Sequence, residues 1–259
     1  MTMQELFKKA DLYKEKINEN LKEMKSIDTD ILKEIDQYFR VSFTYSSNAL
    51  EGNMLTFLET KTLMEDNNLR TKQDGKDCFH ETIGHGNAYD YMLLQGRVEE
   101  LVIREDLIKQ LHYLFYNKVD IKEAGTYRKN DITDTKMGYL PPSAEDVPRL
   151  MEHFINQMDN SKRFMHPIEY AAMCHKRILD IQPFQYGNGI IARLFMNLIL
   201  VNEGYGIVII PPTRREDYLN ALMASREMNH IDIDTFIKFI AECLIESEKE
   251  YCKLLKINL

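Results

Sequence analysis

Glycine, proline and long apolar runs are all scarce in this sequence. Its 259 residues include only 11 glycines and 7 prolines, which excludes collagen-like and disordered architectures. No apolar run approaches the roughly 20 residues that cross a bilayer, so we expect no membrane span. A basic excess is also lacking, because 33 Lys and Arg face 41 Asp and Glu. This balance argues against a general binder of DNA or anionic membranes, although it allows a local basic pocket for one small anion.

Cysteine is equally sparse. The four cysteines form no CxxC pair and are Cys78, Cys174, Cys243 and Cys252. Cysteines scattered in this way in a chain of this size predict reduced thiols rather than a disulfide framework or a zinc site. The first 25 residues are charged throughout and lack the apolar region of a signal peptide. We therefore expect a cytoplasmic protein.

Helical periodicity is what the sequence has in abundance. Between residues 4 and 25, apolar side chains recur every three or four positions, with Lys and Glu between them. Similar spacing predicts helices over 31–47, 56–67, 78–96, 104–118, 145–158, 167–181, 189–203, 214–228 and 232–257. Residues 125–142 resist this pattern, because their β-branched residues, two glycines and Pro-Pro pair predict a short β-hairpin. The expected fold class is therefore all-α, with one small β element and an N-terminal helical extension.

A Gly-Asn-Gly turn precedes the apolar helix predicted over 189–203. It consists of Gly187, Asn188 and Gly189. A helix N-terminus presents backbone N–H groups and the positive end of a dipole to an anion, glycines permit close approach, and the Asn188 amide adds a donor. Arg193 lies four residues into the helix, so its guanidinium can reach the same place and hold phosphate. A plain tight turn between two core helices is the alternative interpretation.

The segment around this turn, from Asp180 to Asn197, reads DIQPFQYGNGIIARLFMN. It resembles the signature of the Fic (Fido) family, which is His-Pro-Phe-x-Asp/Glu-Gly-Asn-Gly-Arg-x-x-Arg. Residues 46–53, SSNALEGN, are similar to the family's inhibitory motif in its position before the core. Residues 125–142 resemble the family's flap, a β-hairpin that docks the target segment, and the stretch after His166 resembles the helix leading into the signature. The resemblance spans roughly residues 42–240.

The resemblance implies a Fic-type helical core over residues 104–243, after an N-terminal helical region over 1–103 and before a C-terminal helix end over 244–259. The N-terminal region would include an inhibitory helix at about 31–53. Members of the family transfer AMP from ATP to a Ser, Thr or Tyr hydroxyl with Mg²⁺, so ATP or another nucleotide is the expected ligand. A segment of a target protein is the partner expected at the 125–142 flap.

The resemblance also implies roles for single residues. Nucleotide binding is assigned to Gly187, Asn188, Gly189, Arg193 and Tyr218. Regulation is assigned to Glu51 and Ser47, because the family's inhibitory Glu pairs with the second signature Arg, which is Arg193 here.

Three signature positions depart from the family. Gln182 stands at the position of the His base, and its amide cannot accept a proton near neutral pH. Tyr186 stands at the position of the acidic metal ligand and is a poor ligand for a hard cation, so no metal ligand is assigned and the family's Mg²⁺ is in doubt. Ile190 replaces the first signature Arg and carries no charge.

We therefore interpret the sequence as a Fic-family protein with a degenerate AMP-transferase site, weak or inactive in transfer, that retains nucleotide binding. One alternative is an active transferase with altered chemistry, which uses another phosphate-containing donor or works without a metal. The other alternative is a non-catalytic interaction or regulatory module. The sequence leaves self-association open.

Overall fold

The structure, a computed structural model, describes residues 1–24, 29–65, 76–133, 139–226 and 231–257. Within these ranges the chain forms ten α-helices and two short 3₁₀ turns, the latter at Lys162–Phe164 and Pro212–Arg214. The helices are α1 (Met3–Met24), α2 (Thr29–Glu51), α3 (Phe57–Glu65), α4 (Lys76–Gly96), α5 (Glu105–Tyr116), α6 (Val147–Ser161), α7 (Pro167–Ile181), α8 (Asn188–Asn202), α9 (Arg215–Ala224) and α10 (Ile233–Leu254).

The helices predicted from periodicity are confirmed, with ends that differ by a few residues. The predicted helix ends at residue 25, at 66–67 and at 227–228 lie outside the described residues. The four cysteines are free thiols, as their scattered positions predict.

Helix α8 lies in the core of the molecule. Every residue from Asn188 to Leu200 is buried, as expected for an apolar helix that has no polar face. Helices α2, α4, α5 and α7 all pack against it. No helix in the described ranges combines the length and the apolar character needed to span a bilayer.

The β-hairpin predicted over residues 125–142 is wrong. The described parts of this segment, 125–133 and 139–142, contain no strand, and residues 134–138 lie outside the described residues. The all-α class holds for the described ranges, and the correction concerns only the flap.

The physical reason is that this segment bonds to the turn between α7 and α8. The backbone N–H of Arg128 donates to the carbonyl oxygen of Pro183 at 2.9 Å. The buried Arg128 guanidinium donates to the carbonyl oxygens of Gln182 at 2.8 Å and Pro142 at 2.5 Å. Pro141 and Pro142 have no N–H group to donate to a β-ladder. Arg128 therefore bonds this segment to the turn between α7 and α8 through both its backbone and its side chain, in place of a ladder between two strands.

Helix α1 packs along α10 and also contacts the core beyond it. The Asn18 Nδ2 donates to the carbonyl oxygen of Gly204 at 2.8 Å, and the rings of Phe7 and His166 stack with centroids 4.0 Å apart. These contacts join the first helix to residues late in the chain. The three-part division into 1–103, 104–243 and 244–259 stays a prediction.

The carboxyl group of Glu248, in α10, is fully buried. Burial raises its pKa from 4.5 to about 8, although the backbone amide of Gly206 and the charge of Lys14 both act to lower it. The unfolded chain therefore loses this proton at lower pH than the folded protein does. Folding takes up a proton between about pH 4.5 and about pH 8, so the contribution of Glu248 to stability falls as the pH rises through this window.

The variant Glu248→Gln removes this proton uptake. We expect the free energy of unfolding of the wild type to fall relative to that of the variant as the pH rises from about 5 to about 8. The buried histidines His85 and His112 have lowered pKa values and contribute the opposite slope in both proteins, so only the difference is informative. Urea unfolding at several pH values measures it.

The matched control is Glu246→Gln, which changes an exposed carboxylate of the same helix. Its unfolding free energy should run parallel to that of the wild type. Parallel curves for the wild type and Glu248→Gln would mean that Glu248 is already ionised in the folded protein near neutral pH.

Candidate functional site

The turn between α7 and α8 contains the Gly-Asn-Gly motif. Helix α7 ends at Ile181, and the next residue, Gln182, has the left-handed φ of 47° and donates its N–H to the carbonyl oxygen of Ile178 at 2.8 Å. Gly187 has a φ of 75°, and a Cβ there would lie 2.7 Å from a ring carbon of Phe115. Both the backbone conformation and the close approach of the ring therefore require glycine at position 187.

The Asn188 side chain closes this turn. Its Oδ1 accepts from the backbone N–H of Phe184 at 2.9 Å, and its Nδ2 donates to the carbonyl oxygen of Phe184 at 2.7 Å. The amide that we expected to face an anion is thus engaged within the turn. The turn offers an anion the backbone N–H groups at the start of α8.

His112 of α5 supports the same turn, and the sequence did not identify it. Its ring stacks on that of Phe184 with centroids 3.9 Å apart. Its Nδ1 accepts from the Gly125 N–H at 2.9 Å, so Nε2 carries the proton and donates to the carbonyl oxygen of Tyr186 at 3.2 Å. Burial lowers the pKa of His112 to about 4, which keeps the ring neutral. Nothing in the helical spacing separates this histidine from an ordinary core residue.

Arg193 joins α8 to the end of α2. Its Nε donates to Ser47 Oγ and its Nη2 to the Ser47 carbonyl oxygen, both at 2.9 Å, and Nη2 also donates to Glu51 Oε1 at 2.7 Å. Burial is the largest single effect and acts to lower the pKa of the guanidinium, but the charge of Glu51, the Tyr218 phenol and the hydrogen bonds with both together outweigh burial, and the pKa is raised. The structure therefore brings Ser47, Glu51 and Arg193 together, while their regulatory role stays a prediction.

The Glu51 carboxylate lies over the first turn of α8. A Cβ on Gly189 would be only 2.0 Å from Glu51 Oε1, so glycine is needed to leave room for the carboxylate. The helix dipole and Arg193 both favour an anion at this position. The protein's own carboxylate therefore occupies the place where a bound anion would be most stable. The Glu51 side chain is 45% exposed, so solvent reaches this place.

Two cavities meet at this carboxylate. The larger has a volume of about 540 Å³ and the smaller about 220 Å³. Both are lined by Glu51, Tyr186 and Gly187. The larger cavity is also lined by Gln182, Asn188, Gly189, Arg215 and Tyr218.

Tyr218 lies at the wall of the larger cavity, where a nucleotide-contacting residue was expected. Its hydroxyl group is 3.0 Å from Nε2 of His175. Burial raises the pKa of Tyr218 to about 12 and holds that of His175 well below its usual range, so both groups are neutral. The assignment of Tyr218 to nucleotide binding stays a prediction.

Known proteins are similar to this chain in sequence and in fold. The Fic/DOC family model matches residues 102–200. "Protein adenylyltransferase Fic" of Drosophila mojavensis is 35% identical over 204 residues, which are 77% of this chain and 38% of the relative. The relative of the same name from Aedes aegypti is 32% identical over 217 residues, which are 82% of this chain and 42% of the relative. The chain belongs to the Fic/DOC family.

A solved structure extends the likeness over nearly the whole chain. A Fic domain containing signaling protein from Bacteroides thetaiotaomicron is similar with a TM-score of 0.82 and 25% identity, covering 94% of this chain and 97% of that protein's chain. The curated relatives from Drosophila and Aedes are longer, and this chain spans about two fifths of their length.

Three positions of the Fic signature hold Gln182, Tyr186 and Ile190 in this chain. Gln182 borders the larger cavity, and its backbone carbonyl oxygen accepts a hydrogen bond from Nε of Arg128. Tyr186 is 60% exposed, and its ring stacks with that of Tyr116 at a centroid distance of 6.1 Å. Ile190 is 2% exposed and borders the smaller cavity.

The residues at the Fic metal position do not fit a divalent cation. The Tyr186 phenol is a poor ligand for a hard cation, which takes carboxylate, carbonyl and water oxygens in proteins. No three His, Cys, Asp or Glu side chains in the described ranges are grouped so that they could hold a metal ion. No reaction step is therefore assigned to Mg²⁺ at this site.

The proton acceptors that line the two cavities are carboxyl groups. Among the described residues, no histidine lines either cavity. The carboxylates of the larger cavity belong to Glu51, which Arg193 holds, and to Asp131, which accepts the Ala144 N–H at 2.6 Å. The arrangement can hold an anion, and the Glu81 carboxyl group of the smaller cavity lies close to the same turn.

Proposed function

We propose that this Fic-family chain carries a degenerate AMP-transferase site, weak or inactive in transfer, that still binds a nucleotide. The observation that carries the proposal is that Gln182, Tyr186 and Ile190 surround an intact Gly-Asn-Gly turn. The turn keeps its geometry because other side chains, those of Asn188 and His112, hold it. The chain can therefore lose AMP transfer and still bind a nucleotide.

The absence of the signature's His base and the absence of its acidic metal ligand both lower the rate of AMP transfer. A general base contributes about 10²–10⁴-fold to a rate, and the Gln182 amide takes no proton near neutral pH. A metal ion on a transferring phosphate stabilises the transition state by several kcal/mol, and Tyr186 is a poor ligand for such an ion. The two effects need not add, but each alone reduces transfer to a low level.

The larger cavity suits a nucleotide by its size and by the chemistry of its walls. Its volume of about 540 Å³ is in the range of small-molecule sites. Apolar walls for a base come from Leu50, Leu179 and Leu219. A phosphate would replace the Glu51 carboxylate over the first turn of α8, where the dipole and Arg193 favour an anion. With its carboxylate in place, Glu51 is an autoinhibitory group.

The proposed partner of the site is a segment of a target protein. Ile132 and Thr133, which belong to the segment that resembles the flap, border the larger cavity and support docking of a chain beside the nucleotide. The Drosophila and Aedes relatives are named protein adenylyltransferases, so a protein hydroxyl is the substrate class for any residual transfer. The four free thiols support a reducing compartment, the cytoplasm, as the location.

Incorporation of labelled nucleotide tests the loss of transfer. Purified protein incubated with α-labelled ATP, with and without Mg²⁺ or Mn²⁺, should show no metal-dependent label above background. The variant Gly187→Val is the matched control, because its side chain would clash with Phe115 and distort the turn. Clear metal-dependent label on the wild type that Gly187→Val abolishes would contradict the proposal and support the active-transferase alternative.

Calorimetric titration of AMP, ADP and ATP tests the retained binding. We expect weak binding to the wild type and roughly tenfold tighter binding to Glu51→Gly, because a carboxylate no longer competes for Arg193 and the helix dipole. Arg193→Ala should weaken binding. Since that variant also loses buried hydrogen bonds, Arg215→Ala at the rim of the same cavity provides a second, less disruptive change.

The control for these titrations is Glu19→Gln, which removes an exposed carboxylate on α1. It should bind nucleotides as the wild type does. If a well-folded Glu51→Gly protein shows the affinity of the wild type, Glu51 does not compete with the nucleotide, and the autoinhibitory role is wrong.

A further inference from the structure

The smaller cavity constrains which nucleotide the proposed site accepts. It shares Glu51, Tyr186 and Gly187 with the larger cavity, so it opens directly beside the anion-binding turn. A ligand with its base in the larger cavity and one phosphate over Gly189 would extend further phosphates toward this smaller space. The charges that line the smaller cavity therefore affect how many phosphate groups a bound nucleotide can carry.

Acidic and apolar groups line the smaller cavity. It contains the carboxyl groups of Glu51 and Glu81 and the side chains of Phe115, Tyr116 and Ile190. No Lys or Arg is among the described residues that line it. A phosphate entering this space would meet two carboxyl groups and no cation from these residues.

Glu81 is half-buried, and its carboxylate accepts from Nδ2 of Asn53 at 3.1 Å. Burial raises its pKa, opposed by the hydrogen bond from Asn53, so its charge is most complete at mildly alkaline pH.

The turn itself provides for one anionic group. Arg193 Nη1 is buried, has no hydrogen-bond acceptor among the described residues, and lies 3.2 Å from the Cβ position of Gly189. Together with Nη2, which now holds Glu51, it offers two donors to a single phosphate. The Arg193 guanidinium and the start of α8 thus offset the negative charge of one phosphate. No second positively charged side chain is among the described residues that line the smaller cavity.

We propose that this site takes a nucleoside monophosphate, or another ester with a single terminal phosphate, in preference to di- and triphosphates. The inference rests on the nucleotide binding proposed above and narrows its ligand class. Each further phosphate brings negative charge beside Glu81 in a partly buried space, where charges are poorly screened. The first signature arginine cannot offset this charge, because Ile190 stands in its position.

Calorimetry on the Glu51→Gly protein without added metal tests the preference. The titrations use AMP, ADP and ATP at about pH 8, because the ionised form of Glu81 is needed. AMP should bind at least about tenfold more tightly than ATP, with ADP between them, since each step adds charge near a carboxylate.

Two added changes test the cause, each in the Glu51→Gly background. Glu81→Gln removes a negative charge, and Ile190→Arg adds a positive one. Each should reduce the ratio of AMP affinity to ATP affinity by about threefold or more. Glu19→Gln, at an exposed site on α1, is the matched control and should leave this ratio as it was. Thermal melting checks that every variant is folded, and Glu81→Gln decides alone if buried Ile190→Arg does not fold.

The outcomes separate this inference from the function on which it rests. ATP binding as tightly as AMP would overturn the preference and leave nucleotide binding in place. A preference for AMP that Glu81→Gln leaves unchanged would also overturn the inference, because the smaller cavity would not be its cause. If no nucleotide binds to a folded Glu51→Gly protein, the proposed nucleotide binding itself is wrong, and the inference falls with it.

Discussion

The buried guanidinium of Arg193 is the interaction on which the rest of the site depends. It is 1% exposed in the central helix α8, so hydrogen-bond acceptors and a carboxylate must replace the water that it has lost. Ser47 and Glu51 at the end of α2 supply them. Loss of the Glu51 carboxylate would leave the buried charge of Arg193 without its ionic partner, so this contact ties α2 to the Gly-Asn-Gly turn. The same contact fills the anion position with a carboxylate of the protein.

The shape of the turn does not depend on the side chains that transfer chemistry would need. Asn188, His112 and Arg128 hold it through backbone atoms. Gln182 and Tyr186 contribute carbonyl oxygens to this network, and any residue at those positions has a carbonyl oxygen to contribute. The fold and the Gly-Asn-Gly turn therefore do not require a His base or an acidic metal ligand at these positions.

The helices were predictable because apolar residues spaced three and four apart indicate which face of a helix is buried, as over 4–25 and 167–181. The tight turn at Gly187 was also predictable, since glycine is favoured in a tight turn before a helix. The hairpin over 125–142 was predicted wrongly, because its prolines and β-branched residues suit an irregular segment equally well. Its bonds, like that of His112 to a carbonyl 74 positions away, are tertiary contacts that local sequence does not encode.

The most direct measurement of the central claim is nucleotide incorporation by a protein with its reactive groups restored. Gln182→His provides a base that titrates near neutral pH, Tyr186→Asp an anionic metal ligand and Ile190→Arg a phosphate clamp. Combined with Glu51→Gly, these changes should produce metal-dependent label where Glu51→Gly alone gives none. A quadruple variant that melts like the wild type, binds ATP with Mg²⁺ and still transfers nothing would contradict the account, because the scaffold would then lack more than its reactive groups.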